Sequence, residues 1–253
     1  MFRDQRVFLR QFFEQYHTTG SVLPSSRALA QALCRFVDTK SPSPGQNNGA
    51  LDTAVHYPSP QPLHPHPGPL PEGEGVAVGI PAQESGAREI LEVGPGTGAV
   101  TAQLVRKLQP TDCLTLVELN DDFVRHLQHR FDSEPAFKAV ADRTQIMHCR
   151  LEELPSGKRY NVIISGLPLN NFAVNEVDQI LGIFQRLLTP AGTLSFFEYI
   201  AIRRIKALVS GPQGRARLRG IGQVLHRTLH GREIKRDWVW PNVPPAWVHH
   251  VRF

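Results

Sequence analysis

The sequence predicts an α/β fold in which a mostly parallel sheet with crossover helices ends in an antiparallel C-terminal hairpin. Three observations predict it. From residue 88 onward, short apolar runs alternate with runs of helical period, the pattern of parallel strands separated by covering helices. One of those runs, EILEV, opens directly into Gly94-Pro95-Gly96-Thr97-Gly98 and then into AVTAQLVRKL, a strand–turn–helix order that can present helix N-terminal amides to a ligand. The last segments, 232–240 and 247–253, are joined by PNVPPA and read as two paired strands.

Taken along the chain, residues 2–17 place Phe2, Phe8, Leu9, Phe12, Phe13 and Tyr16 on one helical face, with Arg3, Arg6, Arg10 and His17 beside it. An aromatic face with a cationic edge suits a helix lying in a lipid interface, and equally one covering the protein's own core. Ser25 or Ser26 then caps a second helix that carries Leu29, Leu33, Phe36 and Val37 on its packed side. Ten of the 21 prolines fall between positions 41 and 83, in a stretch without Lys or Arg, so 41–87 reads as a Pro-rich flexible insertion. This divides the chain into N-terminal helices (1–40), the insertion (41–87) and a ligand-binding α/β domain (88–253). Strands are expected at 90–93, 114–118, 145–148, 162–165 and 193–198, with helices between them.

Charge is unevenly distributed. The formal net charge is +5, yet from residue 201 onward eleven Lys and Arg face only Glu233 and Asp237. An anionic partner, nucleic acid or membrane surface, is therefore expected of the basic C-terminal third. The three cysteines show no paired or metal-binding spacing, so no metal is expected, and a reducing, cytoplasmic setting is. No apolar run is long enough to span a bilayer.

The glycine turn carries the chemistry. Glu118 follows twenty residues after Gly98, at the end of the next strand, where a carboxylate can accept ribose hydroxyls of an adenosine-type cofactor. Gly94, Gly96 and Ala99 also satisfy the looser dinucleotide pattern. Glu92 argues against that alternative, because a carboxylate so near the turn serves a cationic amino acid end better than a pyrophosphate.

The arrangement Glu92-x-Gly94-x-Gly96-x-Gly98 resembles the first motif of class I S-adenosyl-L-methionine-dependent methyltransferases. The blocks GSVLPSSRALA, LEVGPGTGAVTAQL, VELNDDF and NVIISGLPLNNF look like soluble bacterial phospholipid N-methyltransferases, a family similar to the ribosomal RNA adenine dimethylases. The resemblance implies a Rossmann-like class I fold with a seven-stranded sheet, and S-adenosyl-L-methionine as cofactor. It implies that Glu92, Gly94, Gly96 and Gly98 hold the methionine portion and Glu118 the ribose. Ser25 and Ser26 would lie near the cofactor carboxylate, Leu151 would be a further cofactor-binding residue, and Ser165 to Pro168 would lie beside the reactive methyl. Arg150 stands where such enzymes have an Asp for the adenine amino group, and Asn161 where an Asp opens the fourth strand.

The implied reaction is methylation of phosphatidylethanolamine or its methylated derivatives by a protein bound peripherally at the inner membrane face. Tyr16, Glu198 and Tyr199 are the candidate proton acceptors, from their placement. An RNA adenine methyltransferase is the alternative, against which stands Leu169 where the related enzymes stack a base on Phe or Tyr. A non-catalytic cofactor-binding relic, damaged at Arg150, is a third reading.

Overall fold

The computed structural model describes residues 26–37, 87–199, 212–242 and 245–253. All belong to the larger of the chain's two units, which excludes Pro42–Gly86. Helix 2–17 with Tyr16, and Ser25, lie outside the described residues, as does the Pro-rich insertion apart from Ala87.

Seven strands form one sheet: β1 (Glu89–Val93), β2 (Cys113–Glu118), β3 (Thr144–His148), β4 (Tyr160–Ser165), β5 (Leu188–Tyr199), β6 (Glu233–Val239) and β7 (Ala246–Arg252). Their spatial order is β3-β2-β1-β4-β5-β7-β6. The first five pair in parallel, and β7 runs antiparallel between β5 and β6. The order reverses beside β1, the place where an open α/β sheet leaves a crevice at the carboxyl ends of its strands. β6 runs in the same sense as β5, so the β6–β7 connection lies at that same edge.

The strands are apolar because both faces are covered. Leu91, Val93, Ile163, Leu194 and Phe196 pack with α5 (Val174–Leu187) and α6 (Pro212–Leu229). Ile90, Leu114, Leu116, Val162 and Ile164 face the other way, into a layer containing α1 (Arg27–Leu33), α2 (Thr101–Leu104), α3 (Asp121–Ser133) and α4 (Pro135–Lys138). Every predicted strand is present, displaced at its ends by a few residues. Two helices are shorter than their patterns predict. The expected long helix after the glycine turn keeps only Thr101–Leu104 as regular α-helix, where Val100, Thr101 and Val105 lower helix propensity. The helix capped by Ser26 ends at Leu33, and Arg35–Val37 tightens into a 3-10 turn that sets Phe36 against the His250 ring at 4.8 Å.

Beneath the entry to β1, Arg88 grips buried Asp112 through Nε at 2.9 Å and donates to the Val37 carbonyl at 2.6 Å. This joins the α1 segment to the start of the sheet.

Candidate functional site

The chain turns at Gly94, Gly96 and Gly98 with φ of +69°, +57° and +76°, a region that costs a side-chain-bearing residue steric strain. The turn is pinned from two sides. Gly94 donates to the Val117 carbonyl at 2.9 Å, and Gly166 donates to Val93 at 2.8 Å. A Cβ on Gly166 would stand 2.4 Å from the Gly94 carbonyl oxygen, so only glycine lets the loop after β4 approach the turn this closely.

Two buried carboxylates flank the turn. Glu92, on the α1–α4 face of β1, accepts the Thr101 hydroxyl at 2.8 Å. Burial, reinforced by the nearby Glu118 charge, pushes its pKa up to about 8. Glu118, at the end of β2, accepts N–H groups of Gly96 at 3.0 Å, Leu119 at 2.8 Å and Asn120 at 2.9 Å. Burial raises its pKa as well, against those hydrogen bonds. A carboxylate has about four acceptor positions, so one direction on Glu118 remains for a hydroxyl while the Gly96 bond is intact. Two acids pressed together under burial favour a ligand that brings positive charge and hydroxyl donors.

A cleft opens beside Glu118 and the turn, lined by Gly94, Glu118, Arg150, Leu151, Leu167 and Phe172, among others. Ile180, Gln179 and Glu176 from α5 close its far side. Arg150 supplies donors and no acceptor. Its own N–H is taken by the Glu153 carboxylate at 3.0 Å.

Ser165 is buried, and its Oγ accepts Leu167 N–H at 3.3 Å, which shapes the Ser165-to-Pro168 turn. Ser26 spends its hydroxyl on the cap, accepting Leu29 N–H at 3.2 Å, and donates its own N–H to Asn242 at 3.1 Å. Tyr199 shares a side-chain hydrogen bond with the same Asn242, and burial raises its pKa. Glu198 and Tyr199 point to opposite faces of the sheet, as neighbours on a strand must. Glu198 is buried next to His249, 3.8 Å from Nε2, and His249 Nδ1 meets Glu233 at 2.6 Å. Glu198 and Tyr199 therefore cannot act together on one amine.

Arg130 is a site residue that the sequence pattern does not announce. From α3 it donates Nη1 to the carbonyls of Thr97 and Gly98, at 2.8 and 2.9 Å, while Glu134 holds the guanidinium at 2.6 Å and Phe137 lies beneath it. The Glu134 partner at i+4 is visible in the sequence. The turn it clamps is more than thirty residues away.

Residues 90–192 match a family model described as a methyltransferase domain. Among curated proteins, the chain is 32% identical over 114 residues to an ornithine lipid N-methyltransferase of Singulisphaera acidiphila, covering 43% of this chain and 56% of that protein. It is 38% identical over 82 residues to ribosomal RNA small subunit methyltransferase A of a Synechococcus species, covering 32% of this chain and 28% of the relative. Thus the matches span about half, or less, of those curated relatives. Of solved structures, the O-methyltransferase TomG of Streptomyces achromogenes, in complex with S-adenosylmethionine, aligns with a TM-score of 0.50 and 16% identity over 66% of this chain and 73% of TomG. A Bacillus cereus O-methyltransferase, in complex with S-adenosylhomocysteine, gives 0.50 and 14% over 66% and 74%. S-adenosyl-L-methionine, present in the TomG structure, fits the residues present: two buried carboxylates suited to cationic and hydroxyl donors, and a turn in which Gly94, Gly96 and Gly98 carry no side chain. Residues 90–192 thus resemble a methyltransferase domain, carried on a sheet of the Rossmann-like class I order.

Proposed function

We propose that the protein transfers the methyl group of S-adenosyl-L-methionine to the amine of a membrane aminophospholipid, phosphatidylethanolamine or its methylated derivatives. The observation that carries the transfer chemistry is the pair of buried carboxylates, Glu92 and Glu118, around the glycine turn. The lipid amine rests on the likeness to the ornithine lipid enzyme. Leu169 supports it against a nucleic-acid base. It is buried in the core behind Pro168, so that position offers no aromatic face for a flipped base.

When bound, the sulfonium supplies an electrophilic methyl group for in-line displacement. The chain's part is to align the donor and an uncharged amine and to keep water out. Glu92 would face the cationic amino acid end, and Glu118 would accept a ribose hydroxyl. Gly166, Leu167 and Pro168 wall the reacting centre. The ammonium of the lipid must lose a proton first, and Glu198 is the acceptor this reading assigns, since the Tyr199 hydroxyl is engaged with Asn242 and held protonated by burial. Arg150 leaves the adenine amino group to be met by the acceptors of Gln179 or Glu152 along the cleft.

Small-subunit ribosomal RNA is the second reading, favoured by the Synechococcus relative. Incubation of the full chain with methyl-labelled cofactor, mixed aminophospholipid vesicles and ribosomal RNA decides between them. Label in the methylated lipid fraction is expected. Label confined to RNA assigns the second reading, and cofactor binding with label in neither fraction assigns a non-catalytic protein.

A further inference from the structure

The outer edge of β6 carries a surface that methyl transfer does not use. Trp238 and Trp240 are 56% and 62% exposed and touch edge to face at 4.9 Å. Trp247, across the ladder on β7, stacks against Trp238 at 6.2 Å with the Arg236 guanidinium 5.5 Å from its ring. Trp238 pairs with Trp247 and Trp247 with Glu198, so the aromatic row leads inward to the end of β5. On the other side of β6 lies a groove of about 400 Å³ whose walls include Gln31, Arg35, Lys107, Asp237, Trp238 and Pro241, with Arg35 paired to Asp237. Arg232, exposed Lys235, Arg236 and Arg35 outnumber Glu233 and Asp237 along this edge, leaving it positive after Arg35 and Lys235 are set against Asp237 and Arg236 against Glu233.

Adjacent indoles exposed on a soluble face are costly unless a partner covers them. Indoles level with cationic side chains match the chemistry of a lipid headgroup layer, where a ring sits between water and acyl chains and lysine and arginine meet lipid phosphates. We propose that the β6 edge is the surface on which the protein docks to an anionic phospholipid bilayer. Trp238 and Trp240 enter the headgroup layer, with Arg232 and Lys235 on the same strand edge to meet lipid phosphates. The proposal rests on the lipid reading above and deepens it, because the β6–β7 connection lies at the same carboxyl edge of the sheet as the cleft.

All three tryptophans of the chain are in this row, so intrinsic indole emission of the full chain reports on it alone. Vesicles of phosphatidylglycerol and phosphatidylethanolamine are expected to shift that emission to the blue, and pure phosphatidylcholine vesicles far less. The double variant W238S/W240S is expected to bind the anionic vesicles about tenfold more weakly or worse, and K235Q about fivefold more weakly at low salt. Both should bind S-adenosylhomocysteine like the parent, which shows that they fold. Unshifted emission with bound vesicles, or parental vesicle affinity in W238S/W240S, overturns the proposal. So does a concentration-dependent dimer lost in that variant, or a shift produced by single-stranded RNA and not by vesicles. Tryptophan-dependent docking without methyl transfer to lipid upholds this surface and removes the substrate reading. Transfer to detergent-dispersed lipid without docking does the reverse.

Discussion

Glu92 is a buried acid beside the glycine turn. Its pKa lies near 8 in the folded chain against an ordinary 4.5, so the folded state keeps it protonated where the unfolded state ionises. Its contribution to stability is therefore complete below about pH 4.5 and is lost as pH rises through about 8. A glutamine keeps an acceptor for Thr101 and removes the titration. Glu92→Gln is expected to flatten the fall in unfolding free energy across that window, measured by urea denaturation at several pH values. The same variant should bind S-adenosyl-L-methionine about tenfold more weakly or worse, because a hydrogen bond to a charged group is lost. His250 works in the opposite sense. Burial between Ser195, at 2.8 Å, and Asp237, at 3.3 Å, pulls its pKa down to about 4, outweighing the aspartate. Stability from His250 is full above about pH 6.5 and declines as pH falls toward 4. His250→Gln should reduce the acid-side loss, by about 3 kcal/mol at most.

Among the elements, the strands were legible because each is a short apolar run bounded by turns, and burial on both faces enforces such runs. The glycine turn was legible because positive φ at Gly94, Gly96 and Gly98 restricts the sequence itself. The clamp on that turn was not. Arg130 reaches the Thr97 and Gly98 carbonyls only because α3 folds back over the turn, and a contact between segments thirty residues apart leaves no local pattern. Arg130→Met keeps an apolar stem of similar length and removes the guanidinium, with its two donated hydrogen bonds and its contact over Phe137. It is expected to cost about 1–3 kcal/mol of stability and to weaken cofactor affinity more than its distance from the cleft suggests, as calorimetric titration would measure. The basic C-terminal third was also only partly legible. Arg217 is spent on the Phe172 carbonyl at 3.1 Å and Arg227 on Asp178 at 2.7 Å, so charge counted along the chain overstates what α6 offers a partner.

For the whole molecule, the doubly covered sheet explains why the candidate residues gather where they do. Parallel strands end together, and the residues just beyond β1, β2 and β4 meet at the crevice beside the point of reversed strand order. Glu198 and Tyr199 share that edge but occupy opposite faces, a distinction that placement along the chain cannot express. Deletion of residues 2–17, if their aromatic face contacts lipid, should weaken vesicle sedimentation and leave cofactor affinity unchanged; equal losses would assign that segment to the protein's own core. The central claim is that the glycine turn and its two carboxylates bind the methyl donor. Calorimetric titration of S-adenosyl-L-methionine into the parent chain and into Gly96→Asp tests it most directly. A Cβ at Gly96 meets nothing within 4 Å, and aspartate tolerates positive φ, so the variant should fold while setting a new anion beside Glu118. Binding by the parent and its loss in the variant is the predicted result. No binding by the parent, or unchanged binding by the variant, would contradict it.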